Sequence, residues 1–374
     1  MRLSARLAAL VPMVMGGAAL VVAPGSAVAA APAASASFLG SLPSQTRVAS
    51  TVPANGDVNP YGVAVVPRST GRLQRDHVLV SNFNARSNAQ GTGTTIVSIA
   101  PGGRRSLFAQ LPRTLPGRCP GGVGLTTALG VLRSGWVVVG SLPTSDGTAA
   151  TAKAGCLIVL DSHGRVRETL RGNGISGPWD MTIASGRRQA QLFVSNVLNG
   201  TVAGHGAVVR RGTVVRVTLQ LRGNRPPRRV ATTVVGSRFP ERTDPDALVV
   251  GPTGLVLGRS GALYVADTAS NRLARIPDAL TRTHSAGRGM TVRSGGALMA
   301  PLGLALAPNG DLLSANAGNG NLVETAPGGR HMSVRTVDRS GMPPGAGALF
   351  GLAVPGPHSL LFVDDATNTL QRLR

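Results

Sequence analysis

Carboxylates are scarce in this chain, 16 against 38 arginines and lysines, so their positions are informative. Asp57, Asp180, Glu241, Asp244, Asp246, Asp267, Asp364 and Asp365 make up half of them, and each stands near the start or end of a short apolar run. Asn82, Asn196 and Asn316 end similar runs (LVSN, FVSN and LSAN), as Asp267 does in YVAD and Asp365 in FVDD. Oxygen donors gathered on one face could hold a hard cation such as calcium, which takes about six to eight oxygens. The candidate metal ligands are Asp180, Asp244, Asp246, Asp267 and Asp364. With an ion to polarise a carbonyl, Asp180, Asp246 or Asp267 could act as ligand or base in a hydrolysis. Without an ion, Tyr61, Asn82, Trp179, Asp180, Asn196, Asn316 and Asp365 form a candidate rim for a cationic or ring-bearing ligand. Each has a plain structural reading too. Asp or Asn at a strand end commonly bonds main-chain N–H groups of the next turn, and aromatic side chains there commonly pack. The acids make a site only if several converge.

Other chemistry-bearing patterns fade on inspection. Residues 172–177, GNGISG, match G-x-G-x-x-G but lead into a strand, so there is no helix N-terminus to hold a pyrophosphate. No G-x-S-x-G elbow occurs, and Ser260 in GRSGA sits in a hairpin. The six histidines, His77, His163, His205, His284, His331 and His358, show no H-E-x-x-H pairing. Cys119 and Cys156 have no second ligand at metal spacing, and their spacing leaves open whether they form a disulfide.

The elements that must carry these residues are repeated. Thr253-Gly254-Leu255-Val256-Leu257 has counterparts at Leu302-Gly303-Leu304-Ala305-Leu306 and Phe350-Gly351-Leu352-Ala353-Val354. Earlier copies are Tyr61-Gly62-Val63-Ala64-Val65, Leu129-Gly130-Val131-Leu132 and Trp179-Asp180-Met181-Thr182-Ile183. Each is followed by a second run ending on a small polar residue, then by a third such as GCLIVLD or NRLARI. Units of this size with four antiparallel strands are propeller blades, which bury their faces only by stacking on one another. The sequence therefore predicts an all-β, six-bladed β-propeller, with inner strands near 61–65, 129–132, 179–183, 253–257, 302–306 and 350–354. The last blade ends at its third strand, LQRLR, and RVASTVP at 47–53 has no other place. It is expected to supply the missing strand and close the ring.

With GPTGLVL, LYVAD and NRLARI in the fourth unit, the pattern resembles the NHL-repeat propellers and the broader group holding the SMP-30/gluconolactonase enzymes. The resemblance covers nearly all of residues 45–374. It implies a divalent cation held by side chains that lead into the inner strands, and a metal-dependent lactonase chemistry. The corresponding positions here are Tyr61, Leu129, Trp179, Thr253, Leu302 and Phe350. None has a carboxylate, and Thr253 alone is counted as an oxygen donor, so that cation site is missing in its usual form.

The chain opens with Arg2 and Arg6 ahead of an apolar run and an A-x-A site at Ala27–Ala29, which reads as a signal peptide over 1–29 and an exported protein. Residues 30–46 read as a linker and 47–374 as the propeller. No later run is long enough to span a membrane, and a monomer is expected. The net charge is +22, and Lys153 is the only lysine. Such a balance attracts anionic partners, but at 3% aromatics few side chains are present to stack nucleobases, so nucleic acid is not expected. The leading reading is an exported scaffold that binds an unknown small molecule or protein through the acidic rim and long loops. The alternatives are a calcium-type, metal-dependent hydrolase or lactonase, and electrostatic attachment to an anionic envelope polymer.

Overall fold

In the computed structural model, residues 36–112 and 114–374 are described. The expected signal peptide and the first part of the linker lie outside them. Strands are numbered in chain order. Blade one is β2 (Val58–Val65), β3 (Val78–Asn84), β4 (Thr95–Ile99) and β5 (Arg105–Gln110). Blade two is β6 (Leu125–Val131), β7 (Val137–Ser141), β8 (Cys156–Leu160) and β9 (Val166–Leu170). Blade three is β10 (Pro178–Ser185), β11 (Gln189–Asn196), β12 (Val209–Arg222) and β13 (Arg225–Asp244), with a short fifth strand, β14 (Leu248–Val250). Blade four is β15 (Pro252–Leu257), β16 (Leu263–Asp267), β17 (Arg272–Ile276) and β18 (Met290–Ser294). Blade five is β19 (Pro301–Leu306), β20 (Leu312–Asn316), β21 (Asn321–Thr325) and β22 (His331–Thr336). Blade six is β23 (Leu349–Gly356), β24 (Ser359–Asp364) and β25 (Thr369–Leu373), completed by β1 (Gln45–Ser50) from the other end of the chain. The pairing runs from Gln45 opposite Leu373 to Ser50 opposite Thr369, so the expected closure is present, starting two residues earlier than the sequence suggested.

The middle strands are buried on both faces and the outer ones are more exposed, as stacked blades require. β7 and β8 are buried throughout, whereas β18 is largely exposed. Burial is concentrated in the seams. Leu79, Ile96 and Phe108 of blade one meet Val137 and Ile158 of blade two, and Phe193 and Val214 of blade three meet Leu263 and Val265 of blade four. The seam between blades six and one joins Val363 and Leu370 to Val78 and Val97. Apolar area removed from water at about 25 cal/mol per Å² is the main force holding each seam.

The repeated glycine has a specific reason. A Cβ on Gly254, Gly303 or Gly351 would lie 2.1, 2.0 or 2.3 Å from the carbonyl oxygen of Leu302, Phe350 or Tyr61 on the next inner strand. Only glycine lets neighbouring inner strands approach this closely.

Three features differ from the sequence expectation. The inner strand of blade two begins at Leu125, not near 129, because Leu125 pairs with Ser141 and Leu129 with Val139. By that register Ala128 holds the blade-glycine position, and Gly130 lies two residues further along. Thr126-Thr127 therefore leads into it, and Leu129 is channel wall. Blade three gains β14 because β13 runs for 20 residues and pairs beyond the rim, Asp244 with Leu248. Finally, the later part of the expected linker is folded. Phe38, Leu39 and Leu42 are buried against blades five and six, since a continuous apolar patch there needs a cover.

Candidate functional site

Each inner strand starts on the face where each second strand ends, so the rim is where the repeats place the acids and asparagines. Side chains decide which of these remain available. Asn82 donates to the Thr51 carbonyl and to Thr95 Oγ1, at 3.1 and 3.2 Å. Asn196 accepts from the Ser176 N–H at 3.0 Å, and Asn316 donates to the Ala297 carbonyl at 2.7 Å. All three are fully buried and tether loops of their own blades. Asp57 does the same, accepting from the Thr94 N–H and from the Thr94 and Thr95 hydroxyls.

Asp267 is buried beneath two arginines, with Arg272 at 2.8 Å and Arg288 at 2.9 Å from the same carboxylate oxygen. Its candidate role as base or ligand gives way to an ion-paired clasp inside blade four. Asp364 is buried and accepts from the Thr367 N–H. Burial, with Asp338 nearby, raises its carboxyl above the ordinary range.

Tyr61 and Trp179 sit at the channel mouth, yet neither is open to a ligand. Tyr61 stacks on Phe83 and Phe350 with ring centroids 4.4 and 4.0 Å apart, and Trp179 lies 5.8 Å from Tyr61. Each has 1% of its surface exposed. Leu248 of the 243–248 loop packs into the same cluster with φ of +63°, a costly conformation for a leucine. The Trp179 indole N–H donates to the Val249 carbonyl and Gln90 Nε2 to the Pro245 carbonyl, holding this loop over the channel. An aromatic plug and a loop thus close the channel from the rim side.

What stays open surrounds that loop. A cavity of about 440 Å³ has Leu302, Phe350, Val250 and Met299 as apolar walls and Arg242, Asp244, Asp246 and Asn271 as polar ones. A hollow of about 280 Å³ on the other side is shared by Asp246, Asp365, Asn59 and Asn84. Asp244 is engaged with Arg242 at 3.1 Å and accepts from the Asp246 and Ala247 N–H groups. Asp246 is exposed and has no ion pair among the described residues. Burial and then the neighbouring Asp364 push Asp365 up to about 7. The structure therefore gathers Asp244, Asp246 and Asp365 around one loop and leaves Asp180, Asp267 and Asp364 elsewhere. Sequence reasoning missed Arg242, Asn271 and Met299. The loop sequence TDPDAL, with its turn-forming Asp-Pro-Asp, was the available signal.

Asp180 lies below the plug, at the position that is glycine in blades one, four, five and six. Its Oδ2 accepts from the Leu255 N–H of the neighbouring blade at 2.8 Å. It is 8% exposed and helps to line a channel cavity of about 270 Å³ walled by Val63, Leu129, Met181, Leu255, Leu304 and Leu352. Burial raises its carboxyl to about 7 against the opposing main-chain hydrogen bonds. Elsewhere, Cys119 and Cys156 are joined in a disulfide that ties the loop before β6 to β8.

These residues do not supply the cation site that the resemblance implies. The positions leading into the inner strands carry Tyr61, Thr126-Thr127, Trp179, Thr253, Leu302 and Phe350, and the aromatic members are packed together. Thr253 Oγ1 is already bonded to Thr268 Oγ1 and close to main-chain carbonyls. A ring of aromatics, leucine and threonines does not fit a hard cation. Among the described residues, no three His, Cys, Asp or Glu side chains are placed to share an ion.

No family model matches the chain, and no curated protein matches it in sequence. Solved structures do. A catalytically inactive virginiamycin B lyase from Staphylococcus aureus with quinupristin is 14% identical, with TM-score 0.53 over 88% of this chain and 98% of that one. The chain has the six-bladed propeller fold of that group. A gluconolactonase from Xanthomonas campestris is 13% identical, with TM-score 0.53 over 86% of this chain and 87% of that one. A calcium-binding regucalcin from Agrobacterium tumefaciens is 14% identical, with TM-score 0.54 over 87% and 93%. Likeness at this identity concerns the fold alone, since one fold carries many chemistries.

Proposed function

We propose that the protein is an exported binding scaffold whose ligand site is the rim cavity beside the 243–248 loop. One observation carries this reading. The cavity of about 440 Å³ sets the accessible Met299, Ala300, Ala317 and Ala346 against Asp246, a carboxylate with no ion pair among the described residues. Pockets of this size that combine apolar surface with polar anchors are where small organic molecules bind. The matching ligand has a ring or short apolar body and one cationic or strongly hydrogen-bond-donating group, directed at Asp246. The hydrolase alternative draws on the gluconolactonase and regucalcin likenesses, but the side chains at the implied cation positions do not supply its metal site.

A thermal-shift panel of small alkyl and aryl amines, lactones and calcium tests this reading, with chelator as the reference state. A ligand at a hundred times its Kd adds about 2.7 kcal/mol to stability, several degrees of midpoint. The expected result is a rise with one or more amines that disappears in Asp246→Ala. A rise that survives in Asp246→Ala, or none from any amine, would sink the rim assignment. A calcium-dependent rise would favour the hydrolase instead.

A further inference from the structure

The arginines are dispersed along the sequence, but on the face opposite the rim they outnumber the acids. In an antiparallel blade the turn from the first strand to the second, and from the third to the fourth, lies on the face opposite the rim. In blades one to four each of these turns carries or adjoins at least one arginine: Arg68, Arg104, Arg133, Arg165, Arg187 and Arg225 stand for the first six. Asp76, Asp161, Asp278 and Asp311 are the acids in the turns of that face, where the arginines outnumber them, whereas Asp57, Asp146, Asp246, Asp338 and Asp365 lie on rim-side connections. The face opposite the rim is therefore net basic.

The turns of blades one to three also touch. The Arg72 N–H donates to the Ser162 carbonyl, joining the β2–β3 and β8–β9 turns at 2.9 Å. The Leu221 N–H donates to the Arg188 carbonyl at 2.8 Å, and Trp136 Nε1 to the Gly223 carbonyl at 3.4 Å. These contacts place Arg133, Arg165, Arg187, Arg188, Arg222 and Arg225 on one continuous surface, all of them exposed. None is ion-paired among the described residues. Asp161, in the β8–β9 turn, is already held by Arg167 and by the His163 and Arg165 N–H groups.

We propose that this face docks a linear, phosphate-bearing polyanion. Guanidinium groups present paired donors that match phosphate oxygens, and a contiguous row of them suits a charged chain. A lipid surface fits less well. The exposed large apolar residues, Leu107, Val208, Val230, Val234, Met290, Met299, Val334 and Met342, lie on outer strands or rim-side connections, so these turns have nothing to insert into a bilayer. The proposal stands apart from the rim reading, because it uses the opposite face and none of its residues.

The test is anisotropy titration of a labelled inorganic polyphosphate at 50 and 200 mM salt. Three proteins are compared: wild type, a patch variant (R187S/R188S/R222S/R225S) and a control variant of equal charge (R86S/R118S/R210S/R339S). All eight substituted side chains are exposed, so near-UV circular dichroism should be unchanged. Wild type is expected to lose about 100-fold in affinity between the two salts, and the patch variant to show a salt slope smaller by about three. The control should keep most of the wild-type affinity. Equal losses in both variants would mean that net charge alone attracts the polymer, and would overturn the proposal. So would equal affinity for polygalacturonate, which removes the phosphate assignment, or tighter binding to phosphatidylglycerol vesicles, which makes the face a membrane surface.

Discussion

The Asp180 carboxylate accepts the Leu255 main-chain N–H at 2.8 Å across the seam between blades three and four. It does so from the inner-strand position that four other blades fill with glycine, so a carboxyl group replaces close backbone contact as the tie between two inner strands. The group is 8% exposed, lies under an aromatic plug and faces the channel cavity.

That placement sets a pH dependence. Burial raises Asp180 to about 7, above the 3.8 of a free aspartate, so between those values the folded state holds its proton more tightly than the unfolded chain does. Its stabilising contribution is full below about pH 4 and is lost as pH rises through 7. Glu241 and Asp365, also pushed to about 7 by burial, act in the same direction. Asp180→Asn should therefore reduce the loss of stability between pH 5 and pH 8 by on the order of 2 kcal/mol, a few degrees of midpoint. Identical pH profiles for wild type and variant, by urea or thermal unfolding, would falsify this.

Gly303→Ala tests the seam geometry. Its new methyl would stand 2.0 Å from the Phe350 carbonyl oxygen, which no rotamer can relieve because both partners are backbone. The expected cost is about 1 to 3 kcal/mol, as for other overpacked sites. Gly328→Ala in an exposed turn, with open space around the added Cβ, should cost much less. Similar midpoints for the two variants would show that the inner strands separate easily.

Reduction of Cys119–Cys156 removes a crosslink between residues 37 apart in sequence. The chain-entropy argument gives about 2 to 4 kcal/mol for a loop of this size. Adding reductant should lower the unfolding midpoint of wild type and leave a C119S/C156S variant unmoved. A shift of the same size in both proteins would place the effect elsewhere.

Glu324 anchors the segment before β1. Its carboxylate accepts from Ser37 Oγ at 2.6 Å, from the Phe38 and Leu39 N–H groups at 2.8 Å each, and from Asn309 Nδ2 at 3.1 Å. Burial would raise Glu324, but these hydrogen bonds outweigh it and hold the group below the ordinary range. Glu324→Ala leaves two buried N–H groups without an acceptor and should cost about 3 kcal/mol or more. It should also open residues 37–44 to limited proteolysis. An unchanged cleavage pattern together with an unchanged midpoint would show that the apolar contacts of Phe38, Leu39 and Leu42 suffice without the carboxylate.

The fold was legible because its signal is periodic. Gly254, Gly303 and Gly351 recur where backbone must meet backbone, and LQRLR ends one strand short, so closure by a strand within residues 47–53 could be inferred, two residues late at its start. Blade two misled because Gly130 resembles the marker glycine, whereas the true equivalent is Ala128 behind an extra threonine. The folded segment around Phe38 was not visible either. An alanine-rich stretch with one Phe-Leu pair looks like a linker until the apolar patch it covers is known.

By itself the sequence determined six repeats, their strand order, the closure of the ring and the face on which the acids collect, because these follow from local alternation and spacing. Tertiary structure decided which acids are free. Asp267 is bound to two arginines, Asp180 lies beneath a plug, and Asp246 is left at an open cavity because loop paths and side-chain partners arise between blades. The same holds for Arg133, Arg165, Arg187, Arg188, Arg222 and Arg225, dispersed along the chain but brought together on one face. Turns far apart in sequence become neighbours only when the ring closes.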